Sequence, residues 1–186
     1  LPGSEMESDE CRKKYKLKTK YRLISGSYGL YDEDPVFEYE ESVRASQDIS
    51  ETEMLTLRLV HFLVWTLWNL GISKPLLKWI HSEKGINPLD TILKIAQPGH
   101  APNLDAFIED FNQEAHEEWF DSPEELEEFY TAHFDDLIKD GFLKMNFKYL
   151  AKVILDREFS RTLINATSLE INNPLTQELA KFCHDR

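Results

Sequence analysis

The chain has few cysteines: only Cys11 and Cys183 occur among its 186 residues, and they lie near opposite ends. A secreted domain of this size usually carries a larger even set, so we expect a cytoplasmic protein. No Cys-x-x-Cys or Cys-x-x-x-Cys-x-x-Cys pattern occurs. A zinc or iron–sulfur site built from cysteines of this chain is therefore excluded.

Long uninterrupted apolar runs are also missing. The most apolar stretch, residues 54–72, contains Arg58, His61 and Asn69, whereas a membrane span needs about 20 apolar residues. We therefore predict a buried helix here and no membrane partner. The net charge of −13 disfavours a nucleic-acid partner, because such proteins gain affinity by neutralising phosphates. Hydrophobic residues make up 41% of the chain, which is enough to build a folded core.

Helix signals dominate from residue 50 onward. Capping boxes begin at Ser50 and Ser122, and Asn87 precedes a proline in the first turn of another helix. We predict seven helical segments, including one over residues 147–162 and a last one that opens at Asn173. The helix from Ser122 is expected to run to Gly141 with one core-facing stripe, formed by Leu126, Phe129, Tyr130, His133, Phe134, Leu137 and Ile138.

The region before these helices has the pattern of strands. Aromatic and β-branched residues occupy residues 21–31 and 36–40, on either side of the turn-forming sequence Asp32-Glu33-Asp34-Pro35. The predicted fold is therefore mainly α: residues 1–48 form an extended β-hairpin arm, and residues 49–186 form a multi-helix bundle. A two-stranded hairpin is marginally stable alone, so it must lie on the helices or join a sheet supplied by something else.

Searches for catalytic patterns find no complete site. Ser25-Gly26-Ser27-Tyr28-Gly29 lacks the lysine of a phosphate-binding loop and the third glycine of a dinucleotide fingerprint. No Gly-x-Ser-x-Gly occurs. His116 and its neighbouring glutamates are too close in sequence to share a helix face. We predict no catalytic residue, no metal ligand and no cofactor-binding residue within the chain.

Charge is distributed unevenly along the sequence. Residues 105–140 hold fourteen acidic residues and one basic residue, whereas residues 11–22 hold seven basic residues and no acidic one. The basic segment could dock on the acidic helices or on another domain, with RNA a weaker alternative. Within the apolar helix, Arg58 and His61 share a face. A buried Arg58 would need a carboxylate partner, for which Glu40, Glu41 and Asp48 are candidates, or it could contact a ligand.

The first residues carry a resemblance to a known family. The opening Leu1-Pro2-Gly3-Ser4-Glu5-Met6 resembles a segment that follows a late barrel strand in cobalamin-binding radical SAM proteins. Residues 15–22, 25–31 and 36–41, and the helix from Ser50, resemble the stretch after the barrel in one branch of that family. The likeness covers residues 1–70 best. The absence of an initiator Met leads us to expect a piece of a longer protein.

The resemblance implies a particular parent protein. Its cobalamin-binding domain and radical SAM barrel would lie upstream of Leu1 and would hold a 4Fe-4S cluster, S-adenosylmethionine and cobalamin. This chain would be a C-terminal auxiliary domain that partners its own barrel and covers the substrate side. The parent would be a radical SAM methyltransferase or a related radical enzyme.

Five residues are candidates for facing the barrel or the substrate, because polar residues beside glycine turns or inside an apolar helix are where such a domain could reach the active site: Arg22, Tyr28, Arg44, Arg58 and His61. Two other functions remain open. The chain could be a stand-alone acidic helical module that recruits a basic partner. A small hydrolase is disfavoured, since no nucleophile–base or paired-metal spacing occurs.

Overall fold

The protein is described here from a computed structural model that covers residues 3–140, 144–168 and 174–185. This part of the chain is mainly helical, with a two-stranded antiparallel hairpin near the N-terminus, so the predicted fold class is confirmed. The chain divides into two compact units. The first unit comprises Leu1–Leu55 and Glu114–Met145, and the second comprises Thr56–Gln113 and Asn146–Arg186. The hairpin thus groups with later helices, whereas the predicted division at residue 48 follows the linear sequence.

The secondary structure begins with a short 3₁₀ helix at Glu5–Glu7. The elements that follow, in chain order, are α1 (Asp9–Tyr15), β1 (Lys18–Tyr31), β2 (Asp34–Ala45), α2 (Glu51–Leu63), a π-helical turn (Val64–Asn69), α3 (Lys74–Lys84), α4 (Pro88–Ile95), α5 (Pro102–Glu117), α6 (Pro123–Ala132), α7 (Phe134–Asp140), α8 (Met145–Leu155), α9 (Arg157–Ser168) and α10 (Pro174–His184).

The hairpin is longer than the sequence pattern indicated. Its pairing runs from Lys18 opposite Ala45 to Tyr31 opposite Asp34, and the turn residues Asp32 and Glu33 both have positive φ. Aspartate tolerates this left-handed conformation better than most residues. Between Leu23 and Tyr28 the register advances by five residues on β1 but by only two on β2. Gly26, at φ +81°, lies in this bulge, which is a usual place for a glycine in a strand.

The hairpin packs on α6 and α7 within the first unit. Leu23, Phe134 and Leu137 are buried together, and Tyr28 and Phe37 pack against them. The Phe37 ring centroid lies 5.9 Å from that of Phe134. A hairpin alone is marginal in water, so this apolar contact is what makes the two strands stable.

The predicted helix from Ser122 to Gly141 is interrupted. Helix α6 ends at Ala132, His133 has φ −114° and ψ 20°, and α7 starts at Phe134. Because this break changes the phase of the helical repeat, the predicted stripe was only partly right: Leu126, Phe134 and Leu137 are buried, whereas Phe129, His133 and Ile138 are exposed. The predicted stop at Gly141 lies outside the described residues.

The single helix predicted over residues 147–162 was also wrong. Asp156 separates α8 from α9, and its carboxylate Oδ1 accepts the N–H groups of Glu158 and Phe159, each at 3.0 Å. An aspartate that caps a new helix competes with continuation of the old one. The first helix, α1, was missed. There Ser8 Oγ accepts the N–H of Cys11 at 3.2 Å, a capping signal in a segment that sequence analysis treated only as charged.

The core of the second unit is aromatic. Phe62 on α2 is fully buried, and its ring centroid lies 5.1 Å from Phe111 on α5 and 6.5 Å from Tyr149 on α8. Within the described ranges, no single helix is long and apolar enough to cross a membrane. Only taken together do residues 51–69 and α3 meet that length and composition, with a 92° bend between them.

Candidate functional site

Two of the predicted site residues meet around one tryptophan in the first unit. The guanidinium carbon of Arg22, on β1, lies 4.6 Å from the centre of the Trp119 ring, and that of Arg44, on β2, lies 4.4 Å from it. Trp119 is 8% exposed and Arg44 is 6% exposed. Guanidinium groups at these distances are attracted to the electron-rich ring, more strongly where water is excluded. We call Arg22, Arg44 and Trp119 the Trp119 cluster.

Main-chain hydrogen bonds between β1 and the segment after α5 bring the residues of the Trp119 cluster together. The Tyr21 N–H donates to the Phe120 carbonyl at 2.9 Å, and the Phe120 N–H donates to the Tyr21 carbonyl at 2.8 Å. This bridge lies on the outer edge of β1 and sets the following residue, Arg22, beside the preceding residue, Trp119. The segment between α5 and α6 therefore fastens the base of the hairpin through main-chain hydrogen bonds as well as through the rings.

Carboxylates surround the exposed side of the cluster. Arg22 Nε lies 2.5 Å from Glu40 Oε1, and Arg22 Nη1 lies 2.9 Å from Glu118 Oε1. Lys20 Nζ lies 3.2 Å from Asp121 Oδ1. These pairs join β1 to β2 and to the segment between α5 and α6. Because partly exposed ion pairs contribute little each, they orient the side chains more than they stabilise the fold.

A second charged contact fastens α1 to β2. Arg12 Nη1 and Nη2 reach Glu41 Oε1 and Oε2 at 2.6 and 2.7 Å, a two-bond fork. The hydrogen bonds from Arg12 lower the pKa of Glu41 to about 2, against an opposing effect of burial. Part of the basic segment predicted to dock on the acidic helices or on another domain thus binds β2.

The pKa of Tyr130, also in the first unit, is shifted toward the neutral form. Burial, with a smaller effect from the negative charge of Glu118, raises the pKa of Tyr130 to about 12. Its phenol is therefore protonated near neutral pH and does not act as a base.

The other three predicted site residues lie elsewhere. Tyr28 packs against Leu23, Phe134 and Leu137 in the first unit. Arg58 and His61 are on α2 in the second unit, where Arg58 is half-buried and His61 is exposed. The sequence pointed to Arg58 as the buried arginine, but among the described residues it is Arg44 that is less than a tenth exposed. Glu40 and Glu41, expected as partners of Arg58, contact Arg22 and Arg12.

Trp119 and Phe120 are the residues that sequence analysis missed. The signal available was an aromatic pair, Trp119-Phe120, one residue before the Ser122 capping box and inside a strongly acidic stretch. Over the described part of the chain, no group of three or more His, Cys, Asp or Glu side chains is placed to hold a metal ion.

No family model matches the chain, and no curated protein matches it.

Proposed function

We propose that this chain is the C-terminal auxiliary domain of a cobalamin-dependent radical SAM enzyme and that its hairpin docks on the enzyme's own barrel. The likeness of residues 1–70 to the segment after the barrel in that family supports the assignment. In this proposal the cluster cysteines, S-adenosylmethionine and cobalamin belong to upstream domains. The chain itself contributes positioning and coverage, not a complete active site.

The observation that carries the proposal is the contrast between the two ends of the hairpin. Its base is fastened by the Tyr21–Phe120 bridge and the Trp119 cluster. At its tip, Leu30 is 62% exposed and Tyr31 is 72% exposed. Contiguous exposed apolar surface is a mark of an interaction site, and these two neighbouring side chains supply such surface at the tip. An anchored base with an apolar tip is what a docking element needs.

The hairpin edges favour a sheet partner. The outer edge of β1 meets Phe120 at Tyr21, whereas among the described residues no strand pairs with the outer edge of β2. An open edge offers unpaired N–H and C=O groups to an added strand. In the proposed enzyme, β2 would meet a strand of the barrel, and the apolar tip would pack beside it.

The predicted site residues take different roles in this proposal. Arg22 and Arg44 hold the base of the hairpin by contacting Trp119, so they position the docking element. Tyr28, Arg58 and His61 remain candidates for the surface that faces the barrel or the substrate.

The test uses the longer polypeptide that includes the sequence upstream of Leu1, purified without oxygen and reconstituted with iron and sulfide. We expect reductive cleavage of S-adenosylmethionine that depends on the cluster, together with the absorbance of bound cobalamin. Absence of the cysteine triad upstream, or absence of cluster, cleavage and cobalamin from the intact protein, contradicts the assignment.

Docking of the hairpin is tested separately in the same protein. A Leu30→Glu/Tyr31→Glu variant should increase hydrogen exchange at β2 relative to the native protein, because charged side chains oppose burial at the tip. Leu155→Glu, at an exposed apolar position of α8, is the matched control and should leave exchange at β2 unchanged. Equal exchange at β2 in all three proteins contradicts docking through the hairpin.

A second candidate function is a stand-alone acidic interaction module. It is favoured by four exposed carboxylates on α6, namely Glu124, Glu125, Glu127 and Glu128. A basic partner would bind this face with an affinity that falls steeply with salt. If the upstream sequence encodes no barrel, salt-dependent binding to the isolated chain becomes the test, and loss of that binding in a variant with all four changed to Gln is the expected result.

A further inference from the structure

A cavity in the second unit lies where α9 begins and α10 ends, beside the segment Leu70–Ile72. Its volume is about 580 Å³, within the range of roughly 300–1,000 Å³ that holds small-molecule ligands. All of its lining residues belong to the second unit. The cavity is separate from the Trp119 cluster and from the hairpin.

Two arginines give the cavity a positive charge. Arg157 and Arg161 are four residues apart on α9, so they share one helix face, and both line the cavity with exposed side chains. Neither forms an ion pair with any residue that the structure describes. Asp185 is the one acidic side chain among the described lining residues. The nearby Asp156 caps α9 through its Oδ1.

The remaining lining residues divide into a polar and an apolar part. The Ser160 hydroxyl donates to the main-chain carbonyl of Val153, so its proton is already used and its oxygen can only accept. The two guanidinium groups are therefore the strongest anion-binding side chains among the described lining residues. Ile72, Ile154 and Ile164 form an apolar wall that suits the organic part of a ligand.

His184 reports the electrostatic environment of the cavity. Burial lowers the pKa of His184, and the positive charge of Arg161 lowers it further. The carboxylate of Asp185 and a hydrogen bond to the Arg161 main chain raise it in part. A negative ligand beside Arg161 would offset that positive charge and raise the pKa of the ring.

We propose that this cavity binds a small organic phosphate, with the phosphate held by Arg157 and Arg161 and the organic part against the isoleucine wall. The planar guanidinium donates two parallel hydrogen bonds to phosphate oxygens, and two such groups match the charge of a phosphate monoester. The inference stands on the cavity alone and does not depend on the proposed function.

The probe is phenyl phosphate, titrated into the full 186-residue chain near neutral pH in a buffer without phosphate. Binding is measured by calorimetry, and the His184 ring is followed by NMR. Phenol, which lacks the phosphate, is the ligand control. We expect saturable binding of phenyl phosphate, no comparable binding of phenol, and a rise in the pKa of His184 on binding.

Three variants locate the site. Arg157→Gln and Arg161→Gln should each weaken phenyl phosphate binding about tenfold, because each removes charged hydrogen bonds. Lys181→Gln removes one positive charge from the exposed face of α10 outside the cavity lining and should change binding less than about twofold. Unchanged melting temperatures confirm that the variants are folded.

Three results overturn the proposal. The first is no saturable binding of phenyl phosphate by the native chain. The second is that Lys181→Gln weakens phenyl phosphate binding as much as the two arginine variants do. Binding would then depend on the net charge of the chain and not on the two arginines. The third is an unchanged pKa of His184 at saturation, which would place the ligand elsewhere.

Discussion

The Trp119 cluster gives a quantitative prediction about how burial controls an arginine–tryptophan contact. Both arginines lie at nearly the same distance from the ring, 4.4 Å for Arg44 and 4.6 Å for Arg22. They differ in exposure: Arg44 is buried, with 6% of the residue exposed, whereas Arg22 is half-buried, with 36% of its side-chain surface exposed. If distance alone set the interaction free energy with Trp119, the two arginines would have equal values. If burial sets it, Arg44 has the larger value.

The expected magnitudes follow from the environment of each arginine. A desolvated cation–ring contact is worth about 2 kcal/mol and an exposed one about 0.5–1 kcal/mol. We assign about 2 kcal/mol to the Arg44–Trp119 pair on this scale. Arg22 also shares its charge with Glu40 and Glu118, so its coupling to Trp119 should lie near about 0.5 kcal/mol.

Double-mutant cycles measure these couplings. The substitutions are Arg44→Met, Arg22→Met and Trp119→Leu, alone and in the two pairs, and the free energy of unfolding is measured by urea titration. The cycle cancels interactions that each arginine makes with other groups. Lys74→Met with Trp68→Leu, where the ammonium lies 5.4 Å from the ring centre, is the control cycle and should give at most about 1 kcal/mol.

The ordering of the couplings is the decisive result. An Arg22 coupling equal to or larger than the Arg44 coupling would refute the reasoning from burial. Zero coupling for both pairs would show that the cluster is held by backbone pairing alone.

Three further predictions concern charge, capping and the core. The Arg12 pair lowers the pKa of Glu41 to about 2 from its ordinary 4.5, so the unfolded chain takes up this proton first. The native protein should therefore have a higher free energy of unfolding than Glu41→Gln above pH 4.5, and this difference should disappear as the pH falls toward 2. Urea titrations across this pH range measure the difference. Asn87 Oδ1 accepts the Leu89 N–H at 2.9 Å, and Asn87→Ala should lower the free energy of unfolding by about 1 kcal/mol in urea. Phe62 is fully buried, and Phe62→Ala should cost about 3–5 kcal/mol by the same measurement.

Each of these has an outcome that contradicts it. A difference between native protein and Glu41→Gln that stays constant down to pH 2 would show that the carboxylate pair does not stabilise the fold. A neutral Asn87→Ala would mean that α4 needs no side-chain cap. The control for Phe62→Ala is Leu57→Ala, at an exposed position on the same helix. An equal loss in both variants would remove the argument from burial.

Local signals in the sequence predicted helix starts well. At Ser50 the capping box forms as expected: the Ser50 N–H donates to Glu53 Oε2 at 2.8 Å, and the Glu53 N–H donates to Ser50 Oγ at 3.3 Å. Ser122 Oγ likewise accepts the Glu125 N–H at 3.1 Å. Such caps depend on residues three apart in the chain, so sequence alone contains the information.

Helix breaks were harder to predict, because a break can leave the apolar pattern intact. The apolar pattern continues through His133 and through Asp156, yet both positions separate two helices. At Asp156 a capping side chain competes with helix continuation. Apolar periodicity over a long segment cannot distinguish one long helix from two consecutive shorter helices.

The candidate site, too, was only partly predictable from the sequence. Arg22 and Arg44 were among the predicted site residues, but nothing in their spacing pointed to Trp119, which lies 75 residues beyond Arg44 in the chain. Their meeting depends on the Tyr21–Phe120 bridge, a pairing between distant segments. The arginine pair on α9 was not singled out either, because its importance depends on a cavity that α10 completes.

The sequence by itself determined the mainly helical class, the hairpin with its turn at Asp32 and Glu33, and the caps, because each rests on contacts within a few residues. Tertiary structure alone decided which arginine is buried, which tryptophan receives it, and where a cavity of ligand size forms. Those features depend on packing between segments far apart in the chain, and burial sets the strength of every charge involved.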